Sequence, residues 1–147
     1  MTPDVNVVVA ASRSDHPHHR VAHQWLQGAL VECAHGASVK LMPIVTASFV
    51  RFVTHPKIFN RPTPIGAAVG FVDALLAIPG VEMPGIGAEW PRLRQLCLDK
   101  RLVANAIPDA WLAAAVMQLD EHLVTFDADF RKLLPKDRMT LLAATPG

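Results

Sequence analysis

The chain has 147 residues and a mass of 16.0 kDa, which fits one domain spanning residues 1–147. Hydrophobic residues make up 51% and charged residues 18%, so a disordered or fibrous chain is excluded and a buried core is expected. The formal net charge of +1 leaves no bulk positive charge for coating nucleic acid, so any such binding must come from a local patch.

Two further features bear on location. The cysteines, Cys33 and Cys97, are too few for a disulfide framework, which favours a reduced, cytoplasmic chain. The longest apolar stretch, Ile65 to Ile78, is interrupted by Asp73 and by two glycines, whereas a bilayer span needs about 20 apolar residues. No membrane span is therefore predicted.

Helices and short strands alternate along the chain. The first strong helix is predicted over Pro17 to Cys33, where apolar residues recur every four positions; Asp15 is placed to cap it and His35-Gly36 to end it. The other predicted strands and helices are Val39–Met42, Ile44–Val53, Thr63–Ala77, Val81–Met83, Trp90–Cys97, Pro108–Met117, His122–Phe126 and Met139–Leu142. This alternation indicates an α/β sandwich with a mainly parallel sheet, in which chemistry collects beyond the carboxyl ends of the strands.

Four carboxylates stand inside otherwise apolar segments: Asp4, Asp109, Asp127 and Asp129. Each borders a predicted strand end or a helix start, so all four could meet in one crevice. The plainer interpretation is that the last three are helix caps or first-turn anions. Ionised carboxylates held together repel one another unless a cation intervenes, and ligation by oxygen alone favours Mg²⁺ or Mn²⁺.

The remaining carboxylates are expected on solvated faces. The residues assigned in this way are Glu32, Asp73, Glu82, Glu89, Asp99, Asp120, Glu121 and Asp137.

Several segments, in this order and at this spacing, resemble the PIN domain, and in particular the VapC-like toxins of bacterial toxin–antitoxin pairs. They are DVN at Asp4, DHPHHRVAHQWL, SFVRFVTHPKIF, PDAWLAAAV and TFDADF. The resemblance spans nearly the whole chain. It implies a three-layer α/β/α PIN-like sandwich in which the first strand ends near Val5 and a helix follows from Asn6 to Ser12, although the β-branched run VNVVVAA favours a strand.

The resemblance also implies a Mg²⁺-dependent endoribonuclease toxin, with Mn²⁺ as a possible substitute, that is neutralised by a cognate antitoxin and forms a homodimer. Asp4, Asp109 and Asp127 match the metal-binding catalytic acids, and Asp129 matches a position that is often acidic. Asn6 matches a small polar residue that steadies the site by hydrogen bonding.

One departure from the family pattern concerns the acid expected near the start of the helix after the second strand. We assign that position to Thr46, and Ser48 nearby is equally neutral. Three carboxylates instead of four leave open single-metal catalysis, weak activity, or a catalytically degenerate PIN domain that only binds an antitoxin or RNA.

Other features are less specific. Arg51, Lys57 and Arg61 form a basic run that could contact RNA or could simply be solvated, and Arg13 and Arg20 are weaker candidates for the same role. The histidine tract, comprising His16, His18, His19 and His23, lacks further well-spaced zinc ligands and is expected to be a solvated helix start. Trp111 could belong to the core or contact bases. A phosphoacceptor domain that uses one Asp is a further, weaker alternative.

Overall fold

Short apolar runs form five strands, which alternate with helices in a computed structural model that describes residues 1–143. Residues 144–147, the end of the predicted domain 1–147, lie outside this range. The strands are β1 (Thr2–Pro3), β2 (Val39–Lys40), β3 (Val81–Glu82), β4 (Leu123–Thr125) and β5 (Met139–Leu141). The helices are α1 (Val5–Ser12), α2 (His19–Cys33), α3 (Pro43–Val53), α4 (Ile65–Leu76), α5 (Trp90–Asp99) and α6 (Ala106–Gln118). Two short 3-10 turns, Ala128–Lys132 and Lys136–Arg138, were not predicted.

The strands are parallel throughout. β4 pairs with both β1 and β5, and β2 pairs with β3. The amide of Lys40 donates to the carbonyl of Met1 at 2.9 Å, and the amino group of Met1 donates to the carbonyl of Ser38 at 2.9 Å. These bonds join the two ladders in the spatial order β3-β2-β1-β4-β5. The chain winds outward from β1 in both directions, so the point where the winding reverses lies between β1 and β4.

Helices cover both faces of this sheet. Leu123 and Met139 belong to a core that α3 and α6 complete, whereas Phe126 and Leu142 pack against the core formed with α2. The predicted α/β/α sandwich with a mainly parallel sheet is therefore confirmed. Among the described residues, no helix is both long enough and apolar enough to cross a bilayer.

Helix α1 follows the family pattern and not the local strand propensity. Asp4 caps its amino end, and the apolar segment that follows turns across both cores. Val8 and Val9 pack into one core while Val7 and Ala10 pack into the other. Burial on both sides outweighs the weak preference of valine for a strand.

Two predicted helix starts were wrong. Helix α2 begins at His19, after two turns of irregular chain, and Asp15 pairs with Arg13 instead of capping the helix. Helix α6 begins at Ala106, two residues before Pro108. A proline fits in the first turn of a helix because the amides there have no partner within the helix.

Candidate active site

Asp4 lies at the carboxyl end of β1, at the centre of the sheet. Its side chain is only 4% exposed, and each carboxylate oxygen has a donor: the Val5 amide at 2.7 Å and the Thr125 hydroxyl at 2.8 Å. Burial raises the pKa of Asp4, the two hydrogen bonds lower it, and the charge of Asp127 raises it, with a net rise. The carboxylate is thus held in one orientation at the point where ligands of such sheets bind.

Asp127 reaches the same point from the neighbouring strand. The hydroxyl of Thr125, which is fully buried on β4, accepts from the Asp127 amide at 3.0 Å while it donates to Asp4. Asp127 in turn caps the following 3-10 turn by accepting from the Asp129 amide at 2.8 Å. The capping interpretation is therefore correct for Asp127, and it coexists with the position of this residue beside Asp4.

Asp109 approaches from the first turn of α6. It lines a small cleft of about 60 Å³ together with Asp4 and Ser48, and a larger cavity of about 660 Å³ together with Asp129. Burial and the charges of Asp4, Asp127 and Asp129 raise the pKa of Asp109 to about 6. Asp109 therefore lies close enough to the other three acids singled out in the sequence to be repelled by them.

The neutral residue that faces this site from α3 is Ser48, which lines the cleft with Asp4 and Asp109. The Thr46 hydroxyl donates to the carbonyl of Met42 at 3.1 Å, one helical turn back, and Thr46 lines none of the clefts around Asp109. Helical geometry thus turns residue 48 and not residue 46 toward the carboxylates, whereas the assignment of the family's missing acid to Thr46 stays a prediction.

The other predicted site residues also differ in whether they lie near the acids. Asn6 is exposed on α1, and the donors to Asp4 are the Thr125 hydroxyl and the Val5 amide, so the hydrogen-bonding role of Asn6 stays a prediction. Arg51 lines a cavity of about 550 Å³ that also contains Asp109. Lys57 and Arg61 are exposed, and neither lines a cavity that Asp109 lines.

Arg13 is a structural residue and not part of a basic rim. Its buried guanidinium pairs with Asp15 at 2.7 Å, bonds to the Thr63 hydroxyl and the Arg61 carbonyl, and lies 3.8 Å from the ring centre of Phe59. These contacts fasten the α3–α4 connection to the end of α1.

The histidine tract joins α2 to its neighbours. His18 stacks on Phe126 with 4.9 Å between ring centres, and His19 Nδ1 lies 2.7 Å from the Ala10 carbonyl. His16 Nδ1 accepts from the His18 amide. Within residues 1–143, no three His, Cys, Asp or Glu side chains stand close enough to form a ready-made metal site.

Two acids, Glu89 and Glu121, were misassigned by the sequence analysis; the Glu121 side chain is only 14% exposed and pairs with the amino group of Met1 at 3.1 Å. Glu89, expected on a solvated face, is 2% exposed, and it accepts from the Trp111 indole at 2.6 Å and from the Gly87 amide at 2.7 Å. Burial raises the pKa of Glu89, but these hydrogen bonds outweigh it and leave the pKa below its usual value. A glutamate directly before a Trp-Pro helix start was the available signal, but it could not reveal a partner 22 residues away.

The carboxylates suit a divalent cation by their chemistry. Their donors are all oxygen, and a cation would remove the repulsion that raises the pKa of Asp109. Asp4 is already oriented, whereas Asp127 is half-buried and Asp129 is exposed, so these two have room to turn toward an ion. Among residues 1–143 no three of these side chains stand close enough to hold an ion as they are, so the binding of one requires the carboxylates to draw together.

Comparison with known proteins gives the family. The model of the PIN domain matches residues 1–133. The chain belongs to the PIN-domain family. The ribonucleases VapC25 and VapC31 of Mycobacterium tuberculosis are each 36% identical to this PIN domain over 133 residues, which cover 88% of this chain and 89% of each relative. Ribonuclease VapC37 of the same organism is 31% identical over 86% of this chain and 87% of its own length.

A solved structure shares the fold of this PIN domain. It is VapBC2 from Rickettsia felis bound to a DNA fragment from its promoter, with a TM-score of 0.67 and 16% sequence identity. The match covers 97% of this chain and 98% of the other. The predicted resemblance to VapC-like PIN domains is therefore confirmed.

Proposed function

We propose that this VapC-like PIN domain is a divalent-metal-dependent endoribonuclease, the toxin of a toxin–antitoxin pair. The observation that carries the proposal is that Asp4, Asp109 and Asp127 lie at the point where the winding of the sheet reverses, in a chain whose relatives are named ribonucleases. The three acids that the site needs are all present, so we favour catalysis over a degenerate binding module.

Asp4, Asp109 and Asp127 are proposed to hold a Mg²⁺ ion, or Mn²⁺ in its place, with Asp129 in a supporting position. Such an ion supplies charge neutralisation at phosphate oxygens and acidifies bound water. The chain's own contribution is orientation. Thr125 and the Val5 amide fix Asp4, and Thr125 also positions the backbone of Asp127. No covalent intermediate with the protein is needed when water attacks the phosphodiester.

The antitoxin partner follows from the family, and the homodimer follows from the family together with exposed residues of α4. A cognate antitoxin is proposed to cover the acidic site, where an inserted arginine would find strong charge complementarity. A homodimer is proposed as well, because α4 exposes Ile65 and Val69 one helical turn apart. Both assemblies are expected in the cytoplasm, and the mass in solution, measured by light scattering, tests the dimer.

The central experiment is an RNA cleavage assay with and without Mg²⁺. We expect the wild-type protein to cut RNA only with the metal and Asp109→Asn to lose at least about a hundredfold in rate, since one charged ligand is removed. Asp137→Asn, on an exposed 3-10 turn, is the matched control and should cut normally. Unimpaired cleavage by Asp109→Asn would refute the proposed site.

A further inference from the structure

Two open cavities meet at Asp109. One, of about 660 Å³, carries Lys100 and Lys132 on its wall; the other, of about 550 Å³, carries Arg51 and Phe52. Asn105 and Asp109, one helical turn apart at the start of α6, line both cavities. Together the cavities form a groove with the acidic site at its middle and a lobe on either side, which we call the Lys lobe and the Arg lobe.

The charges alternate along this groove. Lys100 and Lys132 line one of the two cavities that share Asp109, and Arg51 lines the other. Lys132 is 79% exposed, and its contact with Asp129 is a loose one of 3.7 Å, so its ammonium group is available to a ligand. A ligand with several phosphates in a row suits this order, because its outer phosphates meet cations while one phosphate lies at the acidic centre.

The Arg lobe adds an aromatic side chain, Phe52, which is half-buried and also packs against the core. The Arg51 guanidinium lies 4.9 Å from the ring centre of Phe52, and both residues line the lobe. An aromatic ring beside an arginine is the combination on which unpaired bases stack in proteins that bind single strands. A polyphosphate without bases would gain nothing from this surface.

The two lobes meet at a polar junction, where the residues that line both lobes are Asn105 and Asp109. Asn105 occupies the cap position of α6, yet its side chain does not cap the helix, so the amide is free to bond to a ligand that passes between the lobes. Asp4 is recessed behind the junction, with only 4% of its surface exposed. An RNA strand must bend its backbone inward to bring a phosphate to Asp4. A single strand bends in this way more readily than a rigid duplex does.

From these observations we propose that single-stranded RNA lies along this groove, with an unpaired base against Phe52 and Arg51, and phosphates on the other side at Lys100 and Lys132. Asn105 is assigned as a positioning residue at the junction. The inference rests on the proposed ribonuclease function, and it replaces Lys57 and Arg61 with Lys100 and Lys132 as the cations that meet the substrate.

Binding is best measured apart from cleavage, in the Asp109→Asn background. The probe is a fluorescent single-stranded RNA of about 12 nucleotides, within the range of 4–16 that such grooves occupy, and its blunt duplex is the comparison. We expect Lys100→Gln with Lys132→Gln to weaken single-strand binding at least about tenfold. The slope of log affinity against log salt should fall by about 0.7 for each lost phosphate contact, which a merely structural change would not produce.

Two further variants sharpen the test. Phe52→Leu should weaken single-strand binding by about tenfold with the salt slope unchanged, because it removes stacking but no charge. Arg94→Gln with Lys136→Gln removes two exposed cations that line neither lobe, and it should bind like the parent.

The inference is overturned if the Lys-lobe variant binds like the parent, if the duplex binds as tightly as the single strand, or if the groove accepts only a peptide and no RNA. Its failure is distinct from failure of the proposed function. A protein that cuts RNA while the groove variants bind normally keeps the function and loses the groove. A protein that binds RNA through the groove but does not cut it keeps the groove and loses the proposed ribonuclease function.

Discussion

At the scale of single residues, Thr125 organises the candidate active site. It is fully buried, and its one hydroxyl donates to Asp4 and accepts from the Asp127 amide, so the two acids share an anchor. A buried carboxylate oxygen without this donor would bear the full cost of desolvation. Thr125 therefore supports both the stability of the chain and the orientation of the acids.

Replacing Thr125 by valine preserves the shape and removes the hydroxyl. We expect Thr125→Val to lower the free energy of unfolding by about 1–3 kcal/mol, as measured by urea denaturation, and to reduce cleavage as well. Thr125→Ser keeps the hydroxyl and should retain most of both. Equal losses in the two variants would show that packing and not hydrogen bonding is what matters there.

Ser48 is the neutral residue opposite the carboxylates, so it is the position at which a fourth acid can be tested. We expect Ser48→Glu to tighten Mg²⁺ binding by about tenfold, since affinity for hard cations rises with the number of charged ligands. Thr46→Glu is the matched control on the same helix and should change Mg²⁺ affinity little. Calorimetry measures both affinities, and an equal effect of the two variants would contradict the orientation of α3.

At the scale of elements, α6 presents two different faces. Asp109 points to the acidic site, while Trp111, two residues later, reaches back to Glu89 at the start of α5. The bond fastens α5 to α6, and the packing of Leu93 against Ala110 and Ala114 completes the contact. Because α6 also forms one side of the groove, this link fixes where Asp109 and Asn105 lie.

Removal of the indole donor should loosen this contact. We expect Trp111→Phe to lower the free energy of unfolding by about 2 kcal/mol, because the buried Glu89 carboxylate loses a hydrogen bond. Trp90→Phe is the matched control: Trp90 is 60% exposed, so the same substitution there should cost less than about 0.5 kcal/mol. Chemical denaturation followed by circular dichroism compares the two without relying on tryptophan fluorescence.

At the scale of the whole molecule, the fold gathers negative charge at the candidate active site at a cost in stability. The raised pKa of Asp109, about 6 against an ordinary 3.8, means that the folded chain binds the proton more tightly than the unfolded chain does. This contribution to stability is complete below about pH 4 and is lost as the pH rises through 6. Above that pH the ionised carboxylate destabilises the metal-free fold.

Two measurements test this loss of stability with rising pH. Without metal, Asp109→Asn should be more stable than the wild type at pH 8, by on the order of 1 kcal/mol because solvent screens part of the shift, and the difference should shrink toward pH 4. Adding Mg²⁺ at pH 8 should raise the melting temperature of the wild type much more than that of the variant. A constant difference across this pH range would contradict the raised pKa of Asp109, whose causes are burial and the charges of the neighbouring acids.

The sequence by itself determined the α/β class and the helix and strand order, and it singled out the four acids as candidates, because hydrophobic periodicity and polar residues at strand ends are local signals. It also placed α1 correctly, although only through the family resemblance. Tertiary structure alone decided that Ser48 and not Thr46 faces the acids, that Thr125 joins Asp4 to Asp127, and that Glu89 is buried. The position of Ser48 depends on the rotation of a helix. The contacts of Thr125 and Glu89 depend on partners that are distant in the sequence, 121 residues in the case of Thr125 and Asp4. No local pattern encodes either.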